Sequence, residues 1–157
     1  SLAHDQLYIR DRNKNIPRIT YSFDMAKPSE FASTGPLEVV LGIERISAQD
    51  GEALYRVPLG PKPTPVNTLA ITTAVDLALV RAVSTVIDST VEEMNGTIEF
   101  NVSYLKTPTG HADVLAKVLG RGENTAVISV TLTDQDDTRF GFAKGSYSIS
   151  KKNNQGP

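Results

Sequence analysis

The chain contains no cysteine. Disulfides, thiolate metal sites and cysteine nucleophiles are therefore excluded, and a reducing, cytoplasmic setting is expected. Histidine is scarce too: His4 and His111 are the only two, far apart in sequence. Without a His-x-x-x-His or similar spacing there is no metal-site pattern. The acidic run from Asp134 to Asp137 lacks the glycine and distal glutamate of a calcium loop and reads as a hairpin turn. His111, in the run Thr107 to His111, reads as a surface side chain. The formal net charge is only −2, so no overall charge draws the molecule to nucleic acid or an anionic membrane. A phosphate-cradling glycine loop, a Gly-x-Ser-x-Gly elbow and a basic–aromatic stripe are also missing. No signal-peptide pattern marks the start. The longest uncharged apolar stretch reads as too short and too interrupted to span a bilayer. Neither a metal cofactor nor a nucleic-acid or membrane partner is expected.

What is present suits a soluble globular domain: 157 residues, 39% hydrophobic and 22% charged, enough chain for one real core. The most informative residue is Asp76. It sits alone in the uncharged run Pro63 to Val80, with Lys62 and Arg81 as the nearest charges. From Thr68 to Thr85 the spacing predicts one long helix, with Asn67 or Thr68 as its N-cap. Its apolar residues fall on every face, so the helix is expected to be buried. Its β-branched residues (Ile71, Thr72, Thr73, Val75, Val80, Val83) weaken intrinsic propensity, so tertiary burial has to hold it. A carboxylate on such a helix must be paired or hydrogen-bonded to offset its desolvation. Burial also favours the neutral form of a carboxylate, a device of acid–base sites. Thr72 and Thr73, one turn before Asp76, are candidates to bond it. The plainer reading is that Asp76 bonds a neighbouring strand.

Around this helix the pattern alternates. Residues 1–15 read as a polar arm, and Ile19, Tyr21, Phe23 and Met25 repeat at strand period. Leu37 to Leu41 is a short helix or a strand entrance. Ile43 to Ala48 and Ala53 to Leu59 read as a hairpin across Asp50-Gly51. Three prolines between Gly60 and Pro65 make a stiff, extended connection. Asp88 to Asn95 reads as polar connection, with a turn at Asn95-Gly96. Four strands then follow: Ile98 to Tyr104, Ala112 to Leu119, Ala126 to Leu132 and Arg139 to Ile149, three of them in an antiparallel meander. The tail from Lys151 to Pro157 is polar. The fold class expected is α+β: an antiparallel sheet of five or six strands curled round one long helix. The edges of such a sheet need cover, so dimerisation is expected.

Several phrases in this order resemble the hotdog-fold acyl-CoA thioesterases, in particular the phenylacetate-pathway type. They are Leu41-Gly42-Ile43, the helix run Thr73 to Ala78, Val102 to Lys106, Gly120-Arg121, and Gly145 to Ile149. The resemblance covers Leu37 to Ile149 and implies a hotdog domain over 36–150, preceded by an arm over 1–35 with a possible extra strand and followed by a tail over 151–157. It implies hydrolysis of an acyl-CoA thioester by a homodimer or homotetramer with the site at the subunit interface, coenzyme A being part of the substrate. In that family a His-Gly-Gly start precedes the helix carboxylate. Here those three positions hold Asn67, Thr68 and Leu69. The resemblance thus implies Asp76 as general base or nucleophile, Asn67 as a carbonyl donor, and the amides of Thr68 and Leu69 as oxyanion donors. Arg121, Lys106 and Lys151 are candidates for the phosphates of coenzyme A. Two alternatives remain open: a non-catalytic acyl-ligand binder, and a hotdog dehydratase or hydratase.

Overall fold

The computed structural model describes residues 35–62 and 64–152. The arm, its possible strand from Arg18 to Met25, and residues 153–157 lie outside the described residues. The elements run α1 (Pro36–Leu41), β1 (Glu44–Gln49), β2 (Glu52–Pro58), α2 (Pro65–Ser84), β3 (Glu92–Tyr104), β4 (His111–Arg121), β5 (Thr125–Asp134) and β6 (Arg139–Lys151). One six-stranded antiparallel sheet holds the strands in the order β1-β2-β4-β5-β6-β3. The sheet wraps α2, as expected.

Local chemistry accounts for the joints. Asp50 and Gly51 both take positive φ, 51° and 81°, the pairing a two-residue hairpin turn requires between twisted strands. The resolved ambiguity at Leu37 to Leu41 is a helix, α1, ended by Gly42 in the left-handed conformation at φ 66°. β4, β5 and β6 form the expected meander. β3 does not lie beside β4; it crosses to the far edge and pairs with β6 from Glu92↔Lys151 to Tyr104↔Gly141. Asn95-Gly96 is not a turn before this strand but a bulge inside it, with Gly96 at φ 155°. Bulges of this kind bend a strand without ending it. Lys151, expected in the tail, is the last residue of β6.

The helix differs from expectation in two respects. It starts one turn early, with Thr64 as N-cap and Pro65 at the first helical position. Proline is favoured there because its missing N–H needs no partner. The Thr64 amide donates to Asn67 Oδ1 at 2.7 Å, so Asn67 is the reciprocal half of a capping box rather than the cap. Second, α2 is not buried all round within this chain. Ala70, Ile71, Ala74, Val75, Ala78, Leu79, Ala82 and Val83 are buried, whereas Val66 and Leu69 are exposed. The alanines recur every fourth residue, which lets the helix axis sit close over β2 and β4. Opposite them, Gly145 of β6 meets the helix: a Cβ there would lie 2.9 Å from Leu79 Cδ1 and 2.9 Å from the Glu99 carbonyl oxygen. With 20 residues and a mean hydropathy of 1.5, α2 is also long and apolar enough to cross a membrane, contrary to the sequence expectation. Its buried face is packed into the sheet.

Candidate functional site

The face of α2 turned away from the core carries Thr68, Thr72 and Asp76, spaced four residues apart and so stacked in one row along the axis. Beside this row runs β3, antiparallel to the helix. Two hydrogen bonds join them. Thr97 Oγ1 donates to Asp76 Oδ1 at 2.8 Å, and Thr72 Oγ1 lies 2.8 Å from Tyr104 Oη. Asp76 is half-buried. Its Oδ2 receives no hydrogen bond from another described side chain or amide, and no buried polar atom among the described residues is left without a partner. Among the described residues, one carboxylate oxygen is therefore anchored and the other takes no donor. Tyr147 lies 4% exposed opposite Thr97 in the sheet register. Burial pushes its phenol up from the usual tyrosine value, and the negative charge of Asp76 adds to that.

The sequence leaves Asp76 two kinds of partner, the helix threonines or a neighbouring strand, and the structure shows the strand bonding Asp76. Neither Thr72 nor Thr73 bonds it. The Thr72 hydroxyl instead donates back to the Thr68 carbonyl at 2.9 Å, a common alternative for threonine in a helix. The partner is Thr97, across on the edge strand. Its only sequence signal is its place beside the alternating run from Ile98 to Tyr104, and that signal carries no register.

The early helix start also changes the amide inventory. The Thr68 amide donates to the Thr64 carbonyl at 3.4 Å, so Thr68 is already inside the helical hydrogen-bond ladder and Leu69 lies one residue deeper. The Asn67 amide donates to the same carbonyl at 3.0 Å and Pro65 has no N–H, so of the first helical residues only Val66 offers an amide outside the ladder. The Asn67 side chain is differently placed. Its Oδ1 accepts from the Thr64 amide and from Thr64 Oγ1 at 3.0 Å, which fixes the carboxamide and leaves the Nδ2 hydrogens pointing elsewhere.

A groove of about 370 Å³ opens beside the N-terminal half of α2, lined by Thr68, Tyr104, Leu105, Lys106, Thr107 and Pro108. Asp76 is not in its lining. It lies one helical turn beyond the Thr72–Tyr104 bond, about 6 Å along the axis. Lys106 is thus the candidate cation that borders the groove. Arg121 and Lys151 are at the other end of α2. Arg121 donates to the Val86 carbonyl at 2.7 Å and pairs with Glu92, and Lys151 pairs with Glu123 at 2.7 Å. His111 begins β4, with Nε2 3.7 Å from Asp113 Oδ2, rather than standing free in a loop. Among the described residues, no three His, Asp or Glu side chains converge as metal ligands.

No protein-family model and no curated protein matches this chain. Solved structures do. A thioesterase variant from Pseudomonas aeruginosa aligns with a TM-score of 0.65 at 14% identity, over 83% of this chain and 98% of its own. A thioesterase variant from Staphylococcus aureus gives 0.58 at 18% identity, over 73% and 98%. A variant of the phenylacetic acid degradation protein PaaI from Thermus thermophilus gives 0.60 at 14%, over 73% and 98%. At such identities the likeness is one of fold. The chain has the hotdog fold, and thioesterase-family and PaaI proteins share it, as the phrases from Leu41 to Ile149 implied.

Proposed function

We propose that this chain is an acyl-CoA thioesterase, active as a homodimer or homotetramer in the cytoplasm. Asp76 is the general base. The carrying observation is the half-held carboxylate: Oδ1 is fixed by Thr97 at 2.8 Å, while Oδ2 is available to a water. A water held by Oδ2 attacks the thioester carbonyl, and the carboxylate takes its proton. The tetrahedral oxyanion then collapses with loss of the thiolate, which is protonated to the free thiol. Atoms balance as one water consumed, one carboxylic acid and one thiol formed.

The oxyanion needs a donor, and Asn67 Nδ2 fills this role. Within one chain, nine residues separate Asn67 from Asp76, about 13 Å along the helix. Base and donor must lie within hydrogen-bond reach of one carbonyl and its attacking water. Hence they come from two copies of the chain, each lending Asn67 to the other's Asp76. The long edge strand β3, which among the described strands pairs with β6 alone, supports such an assembly because unpaired edges are normally covered. Amides of Thr68 and Leu69 have no part in this scheme, being laddered. Lys106, at the groove, meets the anionic end of the coenzyme A arm, whereas Arg121 and Lys151 already face carboxylates.

Release of free thiol from a panel of acyl-CoAs tests the reading. Turnover on at least one acyl-CoA is expected. A second reading, a non-catalytic acyl-CoA binder, is favoured by the Asn67-Thr68-Leu69 sequence in place of His-Gly-Gly, and predicts binding without thiol release. Change in enoyl-CoA absorbance without thiol release would indicate a dehydratase instead.

A further inference from the structure

The two hydrogen bonds of Thr72 fix a direction. A hydroxyl has one hydrogen. The Thr68 carbonyl, 2.9 Å from Thr72 Oγ1, can only accept, so that contact takes the Thr72 hydrogen. The 2.8 Å contact between Thr72 Oγ1 and Tyr104 Oη is then a bond only if Tyr104 donates. The relay runs Tyr104 to Thr72 to Thr68, and it uses the tyrosine's one hydrogen. What Tyr104 offers to the groove it lines is lone pairs.

We propose that Tyr104 is a specificity-determining acceptor, selecting a thioester whose thiol arm carries an amide N–H over one that lacks such a donor. The proposal rests on the thioesterase reading above and deepens it. Tyr104 is 42% exposed, so its oxygen is reachable. It lies one turn along the α2 row from Asp76, which is where an arm leaving the thioester toward Lys106 must pass. Lys106 in the same groove is a donor and a cation. An amide N–H meets the acceptor, and a carbonyl or anionic group further along meets the lysine. Tyr104 and Lys106 thus set an acceptor and a cationic donor beside the Thr68 and Thr107 hydroxyls of the groove, a pairing that suits the amide-bearing arm of coenzyme A.

The test uses binding rather than turnover. Two probes are compared by ligand-observed NMR on the full chain: the butyl thioether of N-acetylcysteamine, with an amide N–H, and its N-methyl amide counterpart, without one. Wild type is expected to bind the N–H probe about tenfold more tightly, the magnitude of one net hydrogen bond. Tyr104→Phe is expected to bind the two probes equally, with unchanged thermal unfolding. Thr72→Ser keeps the relay and is expected to retain the wild-type preference. Equal binding of the probes by wild type, no binding of either, or a preference that survives Tyr104→Phe would each overturn the proposal. Thiol release is measured separately. Its failure with the preference intact would sink the hydrolase reading and leave the Tyr104 acceptor standing.

Discussion

Thr97 Oγ1 donates to Asp76 Oδ1 across 2.8 Å, tying the edge strand β3 to the middle of α2. The bond holds one oxygen of the carboxylate and so decides which one faces a ligand. Removing the donor while keeping the shape, Thr97→Val, is expected to lower kcat for thiol release about tenfold. A hydrogen bond to a charged acceptor contributes roughly 1.5–3 kcal/mol, and part of that is positioning lost in the transition state. Thr97→Ser is expected to recover most of the rate. Steady-state kinetics on an acyl-CoA checks both variants.

Asn67 has two roles that substitution can separate. Its Oδ1 accepts from the Thr64 amide at 2.7 Å, and its Nδ2 is the assigned oxyanion donor. Asn67→Ala removes both, with a capping loss of about 1 kcal/mol and a fall of roughly 2–4 °C in Tm. Asn67→Asp keeps the acceptor and adds a favourable charge at the helix start. Its Tm is expected to match or exceed wild type while thiol release falls. Thermal unfolding and turnover measured on both variants read this pattern.

Gly145 marks where helix, β3 and β6 come closest. An added Cβ would meet the Glu99 carbonyl oxygen at 2.9 Å and Leu79 Cδ1 at 2.9 Å. Gly145→Ala is expected to destabilise by about 1–3 kcal/mol through overpacking. Leu79→Ala empties a fully buried site and costs about 2–5 kcal/mol. The double variant is expected to lose less than the sum, because Leu79 is half of the clash. Denaturant unfolding of the three variants gives the coupling.

Acid sensitivity follows from four carboxylates. Arg121, then the Asp88 amide, holds Glu92 below its ordinary value of 4.5. Lys151 does the same for Glu123, and the Thr90 hydroxyl and amide for Asp88. Burial pushes Asp134 up, but the amides of Asp136 and Thr138 outweigh it and leave it low. A depressed folded value means the unfolded chain binds protons first as pH falls. The stabilisation is full above about pH 4.5 and is lost progressively as pH falls through the folded values. Tm is expected to be flat near neutrality and to drop in acid. Glu92→Gln is expected to lie below wild type at neutral pH and to converge with it in acid, once the pH has fallen through the lowered folded value of Glu92.

The sheet, the hairpin turn and the central helix were legible because each has a local cause: period-two alternation, Asp50-Gly51 and a long apolar run. Asp76 was legible for the same reason, as the one charge between Lys62 and Arg81. The helix start was misplaced because Pro65, which ends most patterns, here opens one. The edge position of β3 and the bulge at Gly96 depend on pairing with β6, seen only when remote residues meet. Thr97 and Tyr104 were missed on the same ground. Each acts through a contact across more than twenty residues of sequence, and nothing beside them in the chain marks it. The helix's exposed face is a further case. Composition alone cannot say whether an all-round apolar helix is covered by its own sheet or by a second copy.

The central claim is that the Asp76 carboxylate activates water at a thioester. Thiol release from the best acyl-CoA, wild type against Asp76→Asn, tests it most directly, since the amide keeps the shape and can still accept from Thr97. The account predicts turnover in wild type and loss of at least about a hundredfold in the variant, the usual scale of general-base catalysis, with unfolding temperature unchanged. Turnover retained by a folded Asp76→Asn protein would contradict it.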